Sequence, residues 1–166
     1  MIEKLNRDAT CCFTGHRRVP DGDLPALTAE IDILLRRLCE RGVKNFICGG
    51  AVGFDTVAAC RVAVAAKNDP GIRLILFLPC RDQTVMWKRA RDVALYQRLK
   101  GLASDVFYVA DFYRDGIMLE RNRQMADASS LCVAYYDGRG AGGTAYTVRY
   151  AVKRGLEVVN LFDKIH

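Results

Sequence analysis

Residues 46–56 have the sequence Phe-Ile-Cys-Gly-Gly-Ala-Val-Gly-Phe-Asp-Thr. A short apolar run breaks into clustered glycines and continues into a segment rich in small residues. Glycine permits positive φ angles and a close approach of the backbone to a ligand, and the N–H groups at a helix start attract anions. The stretch therefore predicts a strand, a phosphate-binding turn and a helix.

A second glycine-rich turn lies at residues 136–144, Tyr-Asp-Gly-Arg-Gly-Ala-Gly-Gly-Thr. It also stands between a strand-like run and a helix-like run. Two such turns make a ligand site more credible than either turn alone.

Strand-like and helical runs alternate along the whole chain from Ala9 onward, which predicts an α/β fold with a mainly parallel sheet. Gly42 is expected to end the first helix. Cys11 and Cys12 are expected to point to opposite faces of the first strand. The predicted strands are 10–13, 44–48, 74–78, 106–109, 131–135 and 158–161, and the predicted helices are about 27–38, 54–67, 84–102, 117–128 and 145–154.

The predicted helix 84–102 has a mixed composition. Its Arg and Lys residues are expected to face outward. Its expected core-facing residues are Met86, Ala90, Ala94 and Leu95.

The composition is that of a globular protein, with 51% hydrophobic and 27% charged residues in a chain of 166. No linker or repeat divides the chain, so we expect a single domain over residues 1–166. Residues 1–8 contain no apolar signal segment, and no apolar run approaches the ~20 residues of a membrane span. These features predict a cytoplasmic protein without a membrane partner.

The net charge and the cysteines indicate which kinds of ligand and metal site to expect. Lys and Arg outnumber Asp and Glu by 25 to 19, a net charge of +6 that favours anionic ligands. The seven cysteines form no C-x-x-C pair, and only two histidines are present, so we expect buried reduced thiols and no metal site.

The loops after the first, second and fifth predicted strands all leave carboxyl ends of the sheet, where ligands bind in open α/β folds. We expect these loops to converge on one cleft. Arg17, beside His16, is placed to meet a phosphate there. Asp55 either caps its helix or accepts a ribose hydroxyl. Arg121 is expected to reach the cleft from a helix that buries Met125 one turn later.

Trp87 and Gln83 form a further candidate pair, in which the indole stacks a base and the amide bonds its edge. The alternative for Trp87 is packing at the edge of the core.

Neither glycine turn is a P-loop, because no Lys-Ser or Lys-Thr pair follows, and neither matches G-x-G-x-x-G. This argues against an NTPase and against ordinary NAD chemistry. His16 has no Ser or Cys partner in the sequence, so no catalytic constellation is predicted.

The order and spacing of these motifs resemble the SLOG superfamily, named for the SMF, DprA and LOG proteins, and most closely its YpsA-like branch. The resemblance runs over nearly the whole chain. It rests on residues 14–17, 49–55, Pro79, Gln83, Trp87, 121–122, Met125, 142–144 and Thr147.

The resemblance implies a Rossmann-like three-layer α/β sandwich whose glycine turns bind nucleotides or nucleotide-derived ligands. Together with the residues argued above, the predicted ligand site comprises Gly15, His16, Arg17, Gly49, Gly50, Ala51, Gly53, Asp55, Gln83, Trp87, Arg121, Asn122, Gly142, Gly143 and Thr144.

The LOG branch hydrolyses nucleoside monophosphates and carries a catalytic glutamate closely after its Gly-Gly-x-Gly-Thr turn. Here Ala145, Tyr146 and Thr147 follow Thr144. The missing carboxylate favours a binding or sensing protein for a nucleotide-like small molecule, with no catalytic residue and no metal.

Two alternatives stay open. One is single-stranded nucleic-acid binding like that of DprA. The other is phosphoribohydrolase activity with Asp55 or Asp137 in place of the glutamate. The identity of the ligand is unknown at this point, and a homo-oligomer is compatible with the sequence.

Overall fold

In the computed structural model, which describes residues 4–166, six strands form one sheet in which every pairing is parallel. The strands are β1 (Thr10–Gly15), β2 (Asn45–Cys48), β3 (Arg73–Cys80), β4 (Asp105–Ala110), β5 (Leu131–Tyr135) and β6 (Glu157–Asn160). Their spatial order is β4-β3-β2-β1-β5-β6.

Helices cover both faces of the sheet, so the predicted Rossmann-like three-layer α/β fold is confirmed. The helices are α1 (Leu24–Glu40), α2 (Phe54–Asn68), α3 (Ala90–Leu102), α4 (Ile117–Asp127), α5 (Gly143–Lys153) and α6 (Phe162–Ile165). Helices α1, α2, α3 and α6 pack on one face, and α4 and α5 pack on the other. Short 3-10 turns at Arg7–Ala9 and Asp21–Asp23 precede β1 and α1.

Each face of the sheet has its own apolar core. Cys11 belongs to the core under α1 and α2, whereas Cys12 belongs to the core under α4 and α5. The predicted opposite orientation of these two cysteines is therefore confirmed. Residues 74–78 of β3 are almost completely buried, as expected for a central parallel strand covered on both faces.

The ends of α1 follow the local sequence. Pro25 stands in its first turn, where the missing N–H costs nothing. Gly42 has φ 91°, and the N–H of Val43 donates to the carbonyl oxygen of Leu38 at 3.0 Å, so the predicted glycine stop is confirmed.

The predicted start of α3 is wrong, because the helix begins at Ala90 instead of Thr84. Residues 81–86 form turns that are held by the neighbouring loop, with the N–H of Tyr113 donating to a carboxylate oxygen of Asp82 at 3.0 Å. These contacts between distant segments override the local helix preference.

The predicted inner face of α3 is wrong for three residues. Met86 is 86% exposed, and Ala90 and Ala94 are also exposed. The side chains that the helix buries are Tyr96 and Leu99.

The remaining boundaries differ from the predictions by only a few residues, and α6 was not predicted. Helix α5 begins at Gly143, two residues earlier than expected, so it takes in part of the second glycine turn. Within residues 4–166, no helix combines the length and the hydropathy that a membrane crossing requires.

The order of the strands in the sheet changes direction at β1. Strands β2, β3 and β4 follow on one side of β1, while β5 and β6 lie on its other side. The connections after β1 and β5 therefore diverge, and they leave a crevice at the carboxyl edge of the sheet.

Candidate functional site

A cleft of about 400 Å³ occupies this crevice. Four segments of the chain line it: the end and loop of β1, the turn before α2, the first half of α4, and the start of α5. The lining residues are Phe13, Thr14, Gly15, His16, Arg17, Ala51, Asp55, Met118, Leu119, Arg121, Asn122, Ala141, Gly142, Gly143 and Thr144.

The loop after β1 is fixed by its backbone. The N–H of His16 donates to the carbonyl oxygen of Tyr135 at 3.3 Å, and the carbonyl oxygen of His16 accepts from the N–H of Phe54 at 3.1 Å. The loop is thereby tied both to β5 and to the first residue of α2. The next side chain, that of Arg17, is exposed and lines the cleft. Arg17 therefore presents a positive charge to the cleft from a loop whose backbone is fixed by hydrogen bonds.

Asp55 lies in the first turn of α2 and is only 6% exposed. Its carboxylate accepts from the N–H of Ala51 at 3.3 Å and faces the cleft. Burial raises the pKa of Asp55, while the nearby charge of Arg121 lowers it. A carboxylate here repels an anion and accepts from a hydroxyl group. The first glycine turn therefore suits a sugar better than a phosphate.

Arg121 is buried at the base of the cleft, with 4% of its surface exposed. Its Nη1 donates to the carbonyl oxygen of Gly49, and its Nε donates to the amide oxygen of Asn122 at 2.7 Å. Burial lowers the pKa of Arg121, and the carboxylate of Asp55 counteracts this effect. Asn122 continues the network by donating to the hydroxyl of Thr147 at 2.9 Å. These bonds hold the guanidinium in one position.

The start of α5 offers free backbone donors to the cleft. Gly142 precedes the helix with φ 100° and ψ 176°, and no side chain caps the first turn. The hydroxyl of Thr147 donates to the carbonyl oxygen of Gly143 at 2.8 Å, which secures the first turn from within. The N–H groups of a first turn have no partner in the helix and attract anions. The side of the cleft that can accept an anion is therefore formed by Gly142, Gly143 and Thr144.

His16 joins the two loops of the crevice. Its Nε2 lies 3.1 Å from the backbone nitrogen of Asp137 and 3.0 Å from a carboxylate oxygen of the same residue. An unprotonated Nε2 accepts from the N–H, and a protonated one donates to the carboxylate. The backbone N–H of Arg139, followed by His16, lowers the pKa of Asp137. His16 therefore ties the loop after β1 to the loop after β5.

Gly49, Gly50 and Gly53 do not line the cleft. A Cβ on Gly49 would overlap with Arg121, and a Cβ on Gly53 would overlap with the backbone of Arg17. Gly50 has φ 70° and packs against Leu78. The protein itself fills the space beside these glycines, so contacts within the fold require them.

Gln83 and Trp87 lie in a neighbouring cavity of about 560 Å³ instead of the cleft. Of the fifteen predicted site residues, ten line the cleft: Gly15, His16, Arg17, Ala51, Asp55, Arg121, Asn122, Gly142, Gly143 and Thr144.

The prediction from the sequence missed the role of Thr147 and five lining residues, Phe13, Thr14, Met118, Leu119 and Ala141. Met118 lies three residues before Arg121 on α4, so the helical repeat that placed Arg121 at the cleft indicates Met118 as well. Thr147 carries no such signal, because its hydroxyl acts through Asn122 on a different helix. In the described part of the chain, no group of three His, Cys, Asp or Glu side chains is arranged to hold a metal ion.

Residues 15–160 match the model of the YspA SLOG family. A curated relative, the uncharacterized SPbeta prophage-derived protein YoqJ of Bacillus subtilis strain 168, is 31% identical over 124 residues. This alignment covers 68% of the present chain and 71% of that protein.

Two solved structures share the fold. DNA processing protein A from Helicobacter pylori superposes with a TM-score of 0.62 at 19% identity, over 90% of this chain and 63% of that one. DNA processing protein A (DprA) from Streptococcus pneumoniae gives 0.63 at 15% identity, over 94% and 52%. The present chain thus spans less than two thirds of either protein, and at these identities the likeness concerns the fold alone.

Proposed function

Because this chain belongs to the YspA SLOG family, we propose that it binds a nucleotide or a nucleotide-derived small molecule in the crevice between β1 and β5. One observation carries the proposal. The uncapped start of α5, the exposed Arg17 and the buried Arg121 all face a single cleft of about 400 Å³. Such a volume lies within the range of small-molecule sites.

The two sides of the cleft suit different parts of a nucleotide. The start of α5 and Arg17 supply donors and positive charge for a phosphate. Asp55, on the opposite side, supplies a carboxylate for the hydroxyl groups of a ribose. The α2 side is a poor phosphate site, because Asp55 is negative and the first N–H of that helix is already bonded to His16.

We infer that the protein holds this ligand without transforming it. Thr147 stands close after the second glycine turn, where the LOG branch carries its catalytic glutamate. Its hydroxyl donates to Gly143 and accepts from Asn122. A neutral hydroxyl engaged in this way neither takes up a proton nor stabilises a developing positive charge. A binding or sensing role follows.

Isothermal titration against AMP, ADP, NAD and ADP-ribose tests the proposal. We expect at least one of these ligands to bind with a dissociation constant below the millimolar range. Absence of binding at millimolar concentration for all four ligands would contradict the proposal.

A matched pair of variants locates the site. Arg17→Ala removes an exposed cation of the cleft, so the affinity for the bound ligand should fall roughly 10-fold while the melting temperature stays unchanged. Arg37→Ala removes an equally exposed cation from α1, away from the cleft, and should leave the affinity unchanged. Equal effects of the two substitutions would place the ligand elsewhere.

Single-stranded nucleic-acid binding is the second candidate. DNA processing protein A from Helicobacter pylori, which shares the fold, has a single-stranded DNA binding mode. The net charge of +6 and the exposed Arg17, Arg18 and Arg139 around the crevice favour such a ligand here. Gel shifts with an oligonucleotide should then weaken steeply with added salt. No shift at low salt would exclude this candidate.

We further propose a single domain in a reducing compartment, the cytoplasm. The sheet takes strands from near both ends of the described residues 4–166, β1 and β6, which supports the proposal of one domain. All seven cysteines are free thiols, as is usual for proteins of the cytoplasm.

A further inference from the structure

The cavity that contains Trp87 adjoins the cleft. The two share Arg17, Ala51 and Met118 as lining residues. A single molecule can therefore occupy both. The shared wall includes the cation that we assign to the phosphate, so a ligand anchored there extends naturally into the second cavity.

This second cavity has a larger apolar lining than the cleft. Its apolar walls are Val52, Pro79, Val85, Met86, Trp87 and Tyr113. Three of these side chains are strongly exposed: Val85 by 74%, Met86 by 86% and Tyr113 by 61%. Exposed apolar side chains grouped around a concave surface mark a binding site. The walls therefore suit an apolar, flat part of a ligand.

Trp87 is held in place by a second aromatic ring. Its indole meets the ring of Tyr96 edge-on, with 5.3 Å between the ring centroids and an angle of 74° between the planes. Tyr96 is itself 5% exposed and packs in the core. The indole is only partly buried, so it can contact a ligand while Tyr96 fixes its orientation.

Gln83 lines the same cavity. Its Nε2 donates to the carbonyl oxygen of Gly50 at 3.4 Å. An exchange of the amide oxygen and nitrogen would bring two carbonyl oxygens together, so this orientation is the favourable one. The Oε1 is then buried and has no partner within residues 4–166. An atom without accessible surface is out of reach of a ligand, so Gln83 contributes to the shape of the cavity and not a hydrogen bond.

We propose that the Trp87 cavity binds the nucleobase of the ligand, so that the ligand is an intact nucleotide and not a base-free sugar phosphate. This inference rests on the proposed function, which places the phosphate at α5 and the ribose near Asp55. The base stacks on the indole of Trp87, and Gln83 lines the cavity beside it. The alternative is that Trp87 only packs against Tyr96.

Trp87 is the single tryptophan of the chain, so its fluorescence reports on this cavity alone. The experiment titrates the unmodified protein with AMP and with ribose 5-phosphate, and follows binding by calorimetry and by tryptophan emission. We expect both ligands to bind, AMP roughly 10-fold or more tightly because of base stacking. Only AMP should change the emission.

Variants separate stacking from packing. Trp87→Leu should lower the affinity for AMP to that for ribose 5-phosphate and leave the latter unchanged. Trp87→Phe keeps an aromatic ring and should retain most of the affinity for AMP, which guards against a folding defect of the leucine variant. Phe112→Ala, at an exposed aromatic outside the cavity, should change nothing.

The outcomes distinguish the two proposals. Equal affinities for AMP and ribose 5-phosphate, or unchanged emission on binding of AMP, would overturn the base site while leaving the cleft as the phosphate site. Binding of neither ligand would overturn both proposals. Binding of an oligonucleotide alone would overturn both in favour of the nucleic-acid candidate.

Discussion

The guanidinium of Arg121 donates to the carbonyl oxygen of Gly49 and fills the space in which a side chain on Gly49 would lie. A Cβ at that position would overlap with Nη1 of Arg121 and lie 2.8 Å from a carboxylate oxygen of Asp55. The two charged groups at the base of the cleft thus depend on the absence of one methyl group.

Gly49→Ala should therefore displace Arg121 and lower the free energy of unfolding by about 1–3 kcal/mol, the usual cost of overpacking a buried position. Urea unfolding measures the change. Gly101→Ala is the matched control, since that glycine lies in α3 with open space around it. Alanine is the better helix former, so the control should gain up to about 1 kcal/mol. Equal changes in the two variants would refute the close contact.

Gly142 and Gly140 offer a second matched pair, at the start of α5. Gly142 has φ 100°, a conformation that alanine adopts only with strain, whereas Gly140 has neither a positive φ nor a close neighbour. Gly142→Ala should shift the first turn of α5 and weaken binding of a phosphate ligand about 5-fold or more, given a strain of roughly 1–3 kcal/mol. Gly140→Ala should bind normally. Calorimetry with AMP compares them, and normal binding by both variants would remove α5 from the site.

The free energy of unfolding should depend on pH in part through Asp55. The sign of this contribution is opposite to that of a carboxyl group whose pKa is lowered by folding. Burial raises the pKa of Asp55 above 3.8, so the folded chain holds this proton more tightly than the unfolded chain. Ionisation of Asp55 therefore opposes folding as the pH rises from 3.8 through the folded pKa. Asp55→Asn removes this contribution.

The stability of Asp55→Asn relative to the unmodified protein should consequently increase with pH across that window. The loss of the charge beside Arg121 adds a constant difference in the free energy of unfolding. This constant does not change the sign of the slope of relative stability against pH. Urea unfolding at a series of pH values, from about 4 to about 8, measures it. A relative stability that falls with pH would show that the folded pKa of Asp55 is lowered.

Incubation with nucleoside monophosphates should release no free base. Thr147 lies close after the second glycine turn, where the LOG branch has its catalytic glutamate. Its hydroxyl already bonds Gly143 and Asn122. Chromatography after prolonged incubation, beside a blank without protein, detects the base. Release above the blank would revive the hydrolytic alternative and direct attention to Asp55 and Asp137.

Local patterns predicted the sheet, most helices and the loops that meet at the crevice, because apolar runs and glycine turns are properties of neighbouring residues. The start of α3 escaped prediction, since residues 81–86 are held in turns by Asp111 and Tyr113 on another loop. The burial of Arg121 escaped for the same reason. Its partner Gly49 is 72 residues away in the sequence, and no local pattern reports such a pair.

The sequence predicted which segments form the candidate site, but not which part of a ligand each segment suits. Both glycine turns read alike in the sequence, yet the start of α5 is uncapped while the first N–H of α2 is bonded to His16. The first turn is occupied by protein, with His16 on the N–H of Phe54 and the carboxylate of Asp55 on that of Ala51. Side-chain contacts of this kind become visible only once the chain is folded.

The packing of Gly49 and Gly53 against Arg121 and Arg17 has an evolutionary consequence. A mutation at either glycine is selected against through folding, whether or not a ligand is bound. A descendant that loses its ligand would keep both glycines and remain recognisable by its glycine motif. The exposed side chain of Arg17, which the fold does not need, would be free to drift. The residue at this position, more than the glycines, should therefore separate binding members of the family from members that have retained only the scaffold.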